Sequence, residues 1–212
     1  MDALTKIKKI GIVPVIRGAT TDNILPIASA LRKGGIPIIE ITMETHGALA
    51  ALEKATNELN DMLIGAGTVL DSKTAQQAIS AGARFVVSPS YSIDVVKTTK
   101  QYQAISISGG LTPTEIITAF QNGADMVKIF PAHIFGPEYI RSLRDPFPHV
   151  PLMVTGGINR ETIGKYLRAG VDAVGVGGAL VNLQKQGWAA DELDAITQRA
   201  AELVKIMHKE RR

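Results

Sequence analysis

Lys128 stands in the middle of the run MVKIFPA, residues 126–132, whose other members suit a buried strand. A lysine is almost never fully buried unless something pairs with it. With a period of two, Met126, Lys128 and Phe130 share one face, and Val127 and Ile129 share the other. The run IPIIEITME, residues 36–44, repeats the pattern, with Ile38, Glu40 and Thr42 opposite Ile39, Ile41 and Met43. In IGIVPVIRG the same alternation groups Val13, Val15 and Arg17, while Thr68 and Thr155 fall near the ends of two further runs. Two chemistries fit a lysine and a glutamate held on apolar strand faces. One is a structural ion pair, although taking both charges out of water costs several kcal/mol. The other is nucleophilic: burial and a neighbouring positive charge disfavour an ammonium ion, and a neutral amine attacks carbonyls. Arg17 is the candidate for that neighbouring charge.

Two glycine pairs form a second constellation, Gly156–Gly157 in VTGGIN and Gly177–Gly178 in GVGGAL. They read either as tight turns or as loops whose backbone N–H groups cradle an anionic group such as a phosphate. His46, His133, His149 and His208 have no ligand spacing, so no metal site is expected. VVSPS lacks the G-x-S-x-G pattern of a nucleophile elbow. Trp188 reads as a packing residue.

The elements that must position these groups alternate along the chain. Eight short apolar runs (IGIVPVIRG, IPIIEITME, MLIGAGTVL, RFVVSPS, QAISISGG, MVKIFPA, PLMVTGG and DAVGVGG) are separated by stretches of helical period such as DNILPIASALRKGG and TPTEIITAFQNGA. Such alternation predicts βαβ units and a parallel sheet. Gly34, Gly82, Gly123 and Gly170 each end a helical pattern, where a left-handed C-cap favours glycine. No linker or composition shift interrupts the repeat, so residues 1–212 are read as one α/β domain, a (β/α)₈ TIM barrel. The alternative is a doubly wound open sheet, but GAG at 65–67 does not continue into a dinucleotide-binding turn. In a barrel, alternate side chains point inward and reactive ones sit at the C-terminal strand ends, which places Lys128 and Glu40 inside.

Composition narrows the class. The 212 residues carry no cysteine, a net charge of +3 and 45% apolar residues. Disulfides and thiolate metal sites are excluded. The final KIMHKERR reads as a frayed, solvated helix end rather than a nucleic-acid contact. No apolar run is long enough for a membrane span, and the first residues lack the pattern of a secretory signal. The expected location is therefore the cytoplasm.

EITMET, GAGTVL, FVVSPS, TPTEI, VKIFPA, DPFPHVPLM and TGGI, in that order, resemble the motifs of the 2-keto-3-deoxy-6-phosphogluconate (KDPG) / 4-hydroxy-2-oxoglutarate (KHG) aldolase family. The resemblance covers nearly the whole chain. It implies a class I aldolase on a (β/α)₈ barrel, commonly a homotrimer, with no metal or organic cofactor. Its substrates would be a 2-keto acid and a phosphorylated aldehyde. By the same resemblance Lys128 is the Schiff-base lysine and Glu40 the general acid/base. Thr68 and Thr155 stand near the keto acid, Pro89 and Phe130 wall the pocket, and Gly156, Gly157, Gly177 and Gly178 bind phosphate. Glu44 departs from the family pattern where many members have an arginine, and Arg17 is the candidate to supply that charge. Ser108 replaces a frequent proline, and Ala179 replaces a serine. VIRG and FGPEYI are similar to the relative acting on the 6-phosphogalactonate epimer.

Overall fold

The computed structural model describes residues 2–182 and 190–211. Trp188 lies outside them. Eight parallel strands close into a barrel in sequence order: β1 (Ile12–Ile16), β2 (Ile38–Thr42), β3 (Leu63–Gly67), β4 (Phe85–Val87), β5 (Ile105–Gly110), β6 (Met126–Ile129), β7 (Leu152–Thr155) and β8 (Ala173–Val176). The helices are α1 (Ala3–Ile10), α2 (Ile24–Lys33), α3 (Ala48–Glu58), α4 (Ser72–Ser80), α5 (Ile93–Gln101), α6 (Pro113–Gln121), α7 (Gly136–Arg144), α8 (Ile163–Arg168) and α9 (Ala190–Glu210). The fold is the single-domain (β/α)₈ barrel expected from the alternation, and ring closure excludes the open sheet. Among the described residues no helix is long and apolar enough to cross a membrane.

Side-chain direction follows from register. Val15 pairs with Glu40, Glu40 with Gly65, and Gly65 with Phe85. Phe85 pairs with Ile105, Ile107 with Met126, Gly109 with Lys128, and Lys128 with Met153. Thr155 pairs with Gly175, and Gly175 with Val13, which returns the same face to β1. Paired residues in a parallel sheet point to the same side, so Lys128, Glu40 and Thr155 face the lumen together. Phe85 fills the lumen beside β3, and a Cβ on Gly65 would stand 2.4 Å from its ring. That explains a glycine inside a strand.

Helix ends are fixed by local chemistry. The Asp71 side chain accepts from the N–H of Thr74 at the start of α4. Thr112 and Glu115 form a reciprocal capping box around Pro113 at the start of α6. Gly82, Gly123 and Gly170 have φ of +101°, +100° and +97°, the left-handed caps the pattern predicts. Gly34 does not, because Gly35 takes the left-handed turn at +92°. Gly34 is instead needed for close packing, since a Cβ there would lie 2.4 Å from the Ala200 Cβ of α9.

The chain ends also differ from expectation. Residues 3–10 form a helix ahead of β1, with Ile7 fully buried, a contact worth about 1.5–3 kcal/mol. The C-terminus is docked rather than frayed. The Arg211 guanidinium donates to the carbonyls of Lys8, Lys9 and Asp172, and Glu210 pairs with Arg168 at 2.6 Å.

Candidate active site

Glu40 is fully buried, and neither of its carboxylate oxygens has a hydrogen-bond partner. Its side chain leans toward the C-terminal end of the barrel, against β3. A Cβ on Gly67 would stand 1.9 Å from Glu40 Oε1 and 2.5 Å from its carboxyl carbon. Gly67 is therefore the berth of Glu40, and no other residue type would leave the carboxylate room. Burial pushes the Glu40 pKa up, Lys128 and Arg17 act to lower it, and Glu44 adds to the rise. A carboxyl held above its usual range gives and takes protons nearer neutral pH.

Lys128 is 4% exposed, and its Nζ lies 5.3 Å from the centroid of the Phe130 ring. The structural ion pair is not formed, since Glu40 accepts no hydrogen bond from Lys128. The two groups are near enough to feel each other's charge without being spent on each other. Leaving buried polar groups unpaired costs about 1–3 kcal/mol each, more for a charge. Groups without protein partners on the lumen face stay available to a bound molecule.

The remaining site residues ring the same end. Thr155 Oγ1 is buried on the lumen face without a partner. Thr68 follows β3 directly with φ +53°, a left-handed backbone in a β-branched residue, which costs about 1–3 kcal/mol. Gly109, the register partner of Lys128, has no Cβ because Pro89 passes over it. A Cβ there would lie 2.2 Å from the Pro89 carbonyl carbon. Pro89 thus covers Gly109, next to Lys128 in the sheet, while the Phe130 ring lies by the amine itself.

Arg17 does not point into the lumen. It follows the last residue of β1, stays exposed, and its Nη1 lies 2.9 Å from Glu44 Oε1. Ser108 Oγ is also buried and unpartnered. Ser108 pairs with Val127, which places it on the helix-facing side, away from Lys128.

The two glycine loops are unlike. Gly156 and Gly157 have φ of +97° and +74°, so their backbone alone demands glycine. Gly177 and Gly178 are not left-handed, and a Cβ on Gly178 would meet nothing within 4 Å. The polypeptide gives no reason for glycine at 178. The loop turns tightly there, with the Gly177 carbonyl accepting from the N–H groups of Leu180 and Val181.

Four features escaped the sequence reading. The Arg17–Glu44 pair joins residues 27 apart and leaves no local signal. His133 lies against the β7 loop, where a Cβ on Gly157 would stand 2.5 Å from its own Cβ. Gly65 and Gly67 did leave a signal: glycines inside a strand mark a close approach.

The family model for KDPG and KHG aldolase matches residues 4–211. The chain is 33% identical over 204 residues to the 2-dehydro-3-deoxy-phosphogluconate aldolase of Treponema pallidum, covering 95% of this chain and 97% of that protein. It is 29% identical over 199 residues to the 2-dehydro-3-deoxy-6-phosphogalactonate aldolase of Escherichia coli, covering 93% and 94%. Among solved structures, the KDPG aldolase of Legionella pneumophila, with pyruvate captured as a covalent carbinolamine, superimposes with a TM-score of 0.88 at 29% identity. The match covers 96% of this chain and 98% of that one.

Proposed function

Because the chain belongs to the KDPG and KHG aldolase family, and is thus a carbon–carbon lyase, we propose that it reversibly cleaves 2-keto-3-deoxy-6-phosphogluconate to pyruvate and glyceraldehyde 3-phosphate. The carrying observation is the unpaired, buried lysine and glutamate on one lumen face. Lys128 attacks the C2 ketone, and loss of water leaves a protonated imine. Glu40 moves protons during that loss and takes the proton of the C4 hydroxyl. The C3–C4 bonding pair flows into the imine, giving an enamine and the free aldehyde. Protonation at C3 and addition of water then release pyruvate and restore the amine. Thr155 and Thr68 offer hydroxyls to the keto-acid end, Pro89 and Phe130 wall it, and Arg17 meets an anionic or hydroxyl group at the mouth. Gly156, Gly157, Gly177 and Gly178 receive the phosphate. The same imine chemistry would cleave 4-hydroxy-2-oxoglutarate to pyruvate and glyoxylate.

The test is borohydride trapping with pyruvate, followed by mass measurement of the chain and its peptides. A pyruvate-derived adduct on the peptide containing Lys128, lost in Lys128→Ala, is the expected result. A folded protein that binds pyruvate without trapping it would refute the imine and leave a phosphosugar-binding barrel. Turnover of both C4 epimers of the phosphorylated substrate then sets the preference. The galactonate reading is favoured by Arg17, which stands at the mouth in the VIRG stretch. We also infer a cytoplasmic homotrimer. Supporting assembly, Leu70, Ile134 and Phe135 are apolar side chains more than half exposed, and sedimentation equilibrium tests it.

A further inference from the structure

The C-terminal ends of β1 and β2 are joined by three side-chain contacts. The Thr42 hydroxyl donates to the carbonyl of Ile16 at 3.1 Å. The Gly18 N–H donates to Thr45 Oγ1 at 3.0 Å. Between them Arg17 Nη1 meets Glu44 Oε1 at 2.9 Å. The loop that carries Arg17 is itself held, because the buried Asn23 side chain donates to the Gly18 carbonyl and accepts from the Thr20 N–H. This stitched corner stands two residues beyond the Val15–Glu40 register pair, at the same end of the barrel toward which the Glu40 side chain leans.

From this geometry, and resting on the reading of Glu40 as the acid–base group, we infer that Arg17 and Glu44 are paired positioning residues for Glu40. Arg17 holds a positive charge at the barrel mouth, and Glu44 fixes where that charge sits and offsets it. Glu40 responds to both. The guanidinium favours its carboxylate form, and the Glu44 charge favours its acid form. The other charge facing Glu40 is Lys128, across the lumen on β6. From β3 it faces Gly65 and Gly67, and from β1 its register partner is the apolar Val15. Burial raises the Glu40 pKa most, and three charges adjust it: Lys128 on β6, and Arg17 and Glu44 in the loops that follow β1 and β2, the last two in mutual contact. A surface ion pair contributes little to stability, so this pair acts mainly through its field.

The two members of the pair must move the reaction in opposite directions. The readout is solvent-deuterium exchange into the methyl group of pyruvate, followed by NMR across a pH series. It needs only the imine–enamine step and no aldehyde or phosphate. Exchange falls as acid protonates Glu40. Losing the Glu44 charge in Glu44→Gln moves that acid limb to lower pH. Losing the guanidinium in Arg17→Gln moves it to higher pH, and the double variant falls between the two. Raising the ionic strength shrinks both shifts, because the pair is exposed. Limbs that coincide with wild type, or that move the same way in both variants, overturn the inference while leaving the imine reading intact. Absence of exchange in the wild-type protein would instead overturn the reading on which it rests.

Discussion

The barrel carries strand-associated carboxylates at both ends, and the two ends treat them in opposite ways. At the N-terminal end, Asp125 and Asp172 each stand one residue before a strand. Asp172 accepts from Arg144 at 2.7 Å and from the Leu152 N–H at 2.8 Å. Asp125 accepts from Lys100 at 2.6 Å and from the Ser106 N–H at 2.8 Å. Each therefore ties a helix cation to the start of the preceding strand. Toward the C-terminal end, Glu40 is more deeply buried yet accepts no hydrogen bond, and Thr155 and Lys128 share its face. One end uses charge to close the structure, and the other holds charge in reserve. Cavity size does not reveal this division. A cavity of about 560 Å³ lies away from the lumen, between α1, α3 and α4, lined by Asp2, Lys6, Glu53 and Arg84.

The sharpest break in that contrast comes from Lys128→Ala. Pyruvate trapping and turnover should vanish. The stability readout belongs to Lys128→Met, which keeps a buried apolar stem and removes only the amine; its Tm should fall little, because no hydrogen bond is lost with the amine. A large fall in Tm of Lys128→Met would mean that the amine is structural after all.

Glu40→Gln comes next. Loss of an acid–base group lowers kcat by about 10²–10⁴-fold, with some imine still trapped. Stability should move the other way. The Glu40 pKa is raised by burial, so the folded state favours its acid form. Its ionisation costs stability as pH rises from the unfolded carboxylate range through the folded value. Glu40→Gln should therefore be more stable than wild type at pH 7, with the gain shrinking below about pH 4, where the unfolded glutamate is protonated too. Urea unfolding at both pH values checks it, and a variant less stable than wild type at pH 7 would contradict it.

Asp172→Ala should behave inversely. It strands the Leu152 N–H and leaves Arg144 Nη2 without its acceptor, while Nε and Nη1 keep the Gly170 and Val150 carbonyls; the loss is about 1–3 kcal/mol and should lower Tm by roughly 2–4 °C per kcal/mol for a chain of this size. The pyruvate exchange rate should stay within about two-fold of wild type, since no lumen group is touched. A large rate loss in the folded variant would show that the two ends are coupled.

The same contrast governs what could be read from sequence. Strand alternation placed Lys128 and Glu40 inside correctly, because side-chain period and register are local properties carried around the ring by pairing. The relation between Lys128 and Glu40, coupled but unpaired, depends on where two side chains end in space. So does the diversion of Arg17 to Glu44, for a strand pattern cannot say that β1 stops at Ile16. The first helix was missed because ALTKIKKI is short and its apolar members are few. Arg211 was misread because its partners, Lys8, Lys9 and Asp172, lie at the far end of the sequence or just ahead of β8. Glycine spacing was legible, but its causes were not. Gly157 is required by φ, Gly67 by a carboxylate, and Gly178 by neither.

That last difference sets the smallest and most specific test. At Gly157, alanine would be forced into φ +74° and against His133, so Gly157→Ala should lose stability whatever the loop binds. At Gly178 an added methyl group enters open space with an ordinary backbone. Gly178→Ala should then keep the fold, or stabilise it by about 0.4–1 kcal/mol through the less flexible unfolded chain. If a phosphate approaches this loop closely, the methyl group stands in its way. KM for the phosphorylated substrate should rise several-fold, while KM for 4-hydroxy-2-oxoglutarate, which has no phosphate, stays unchanged. Equal effects on both substrates would place the phosphate elsewhere and leave Gly156 and Gly157 as glycines demanded by their own turn.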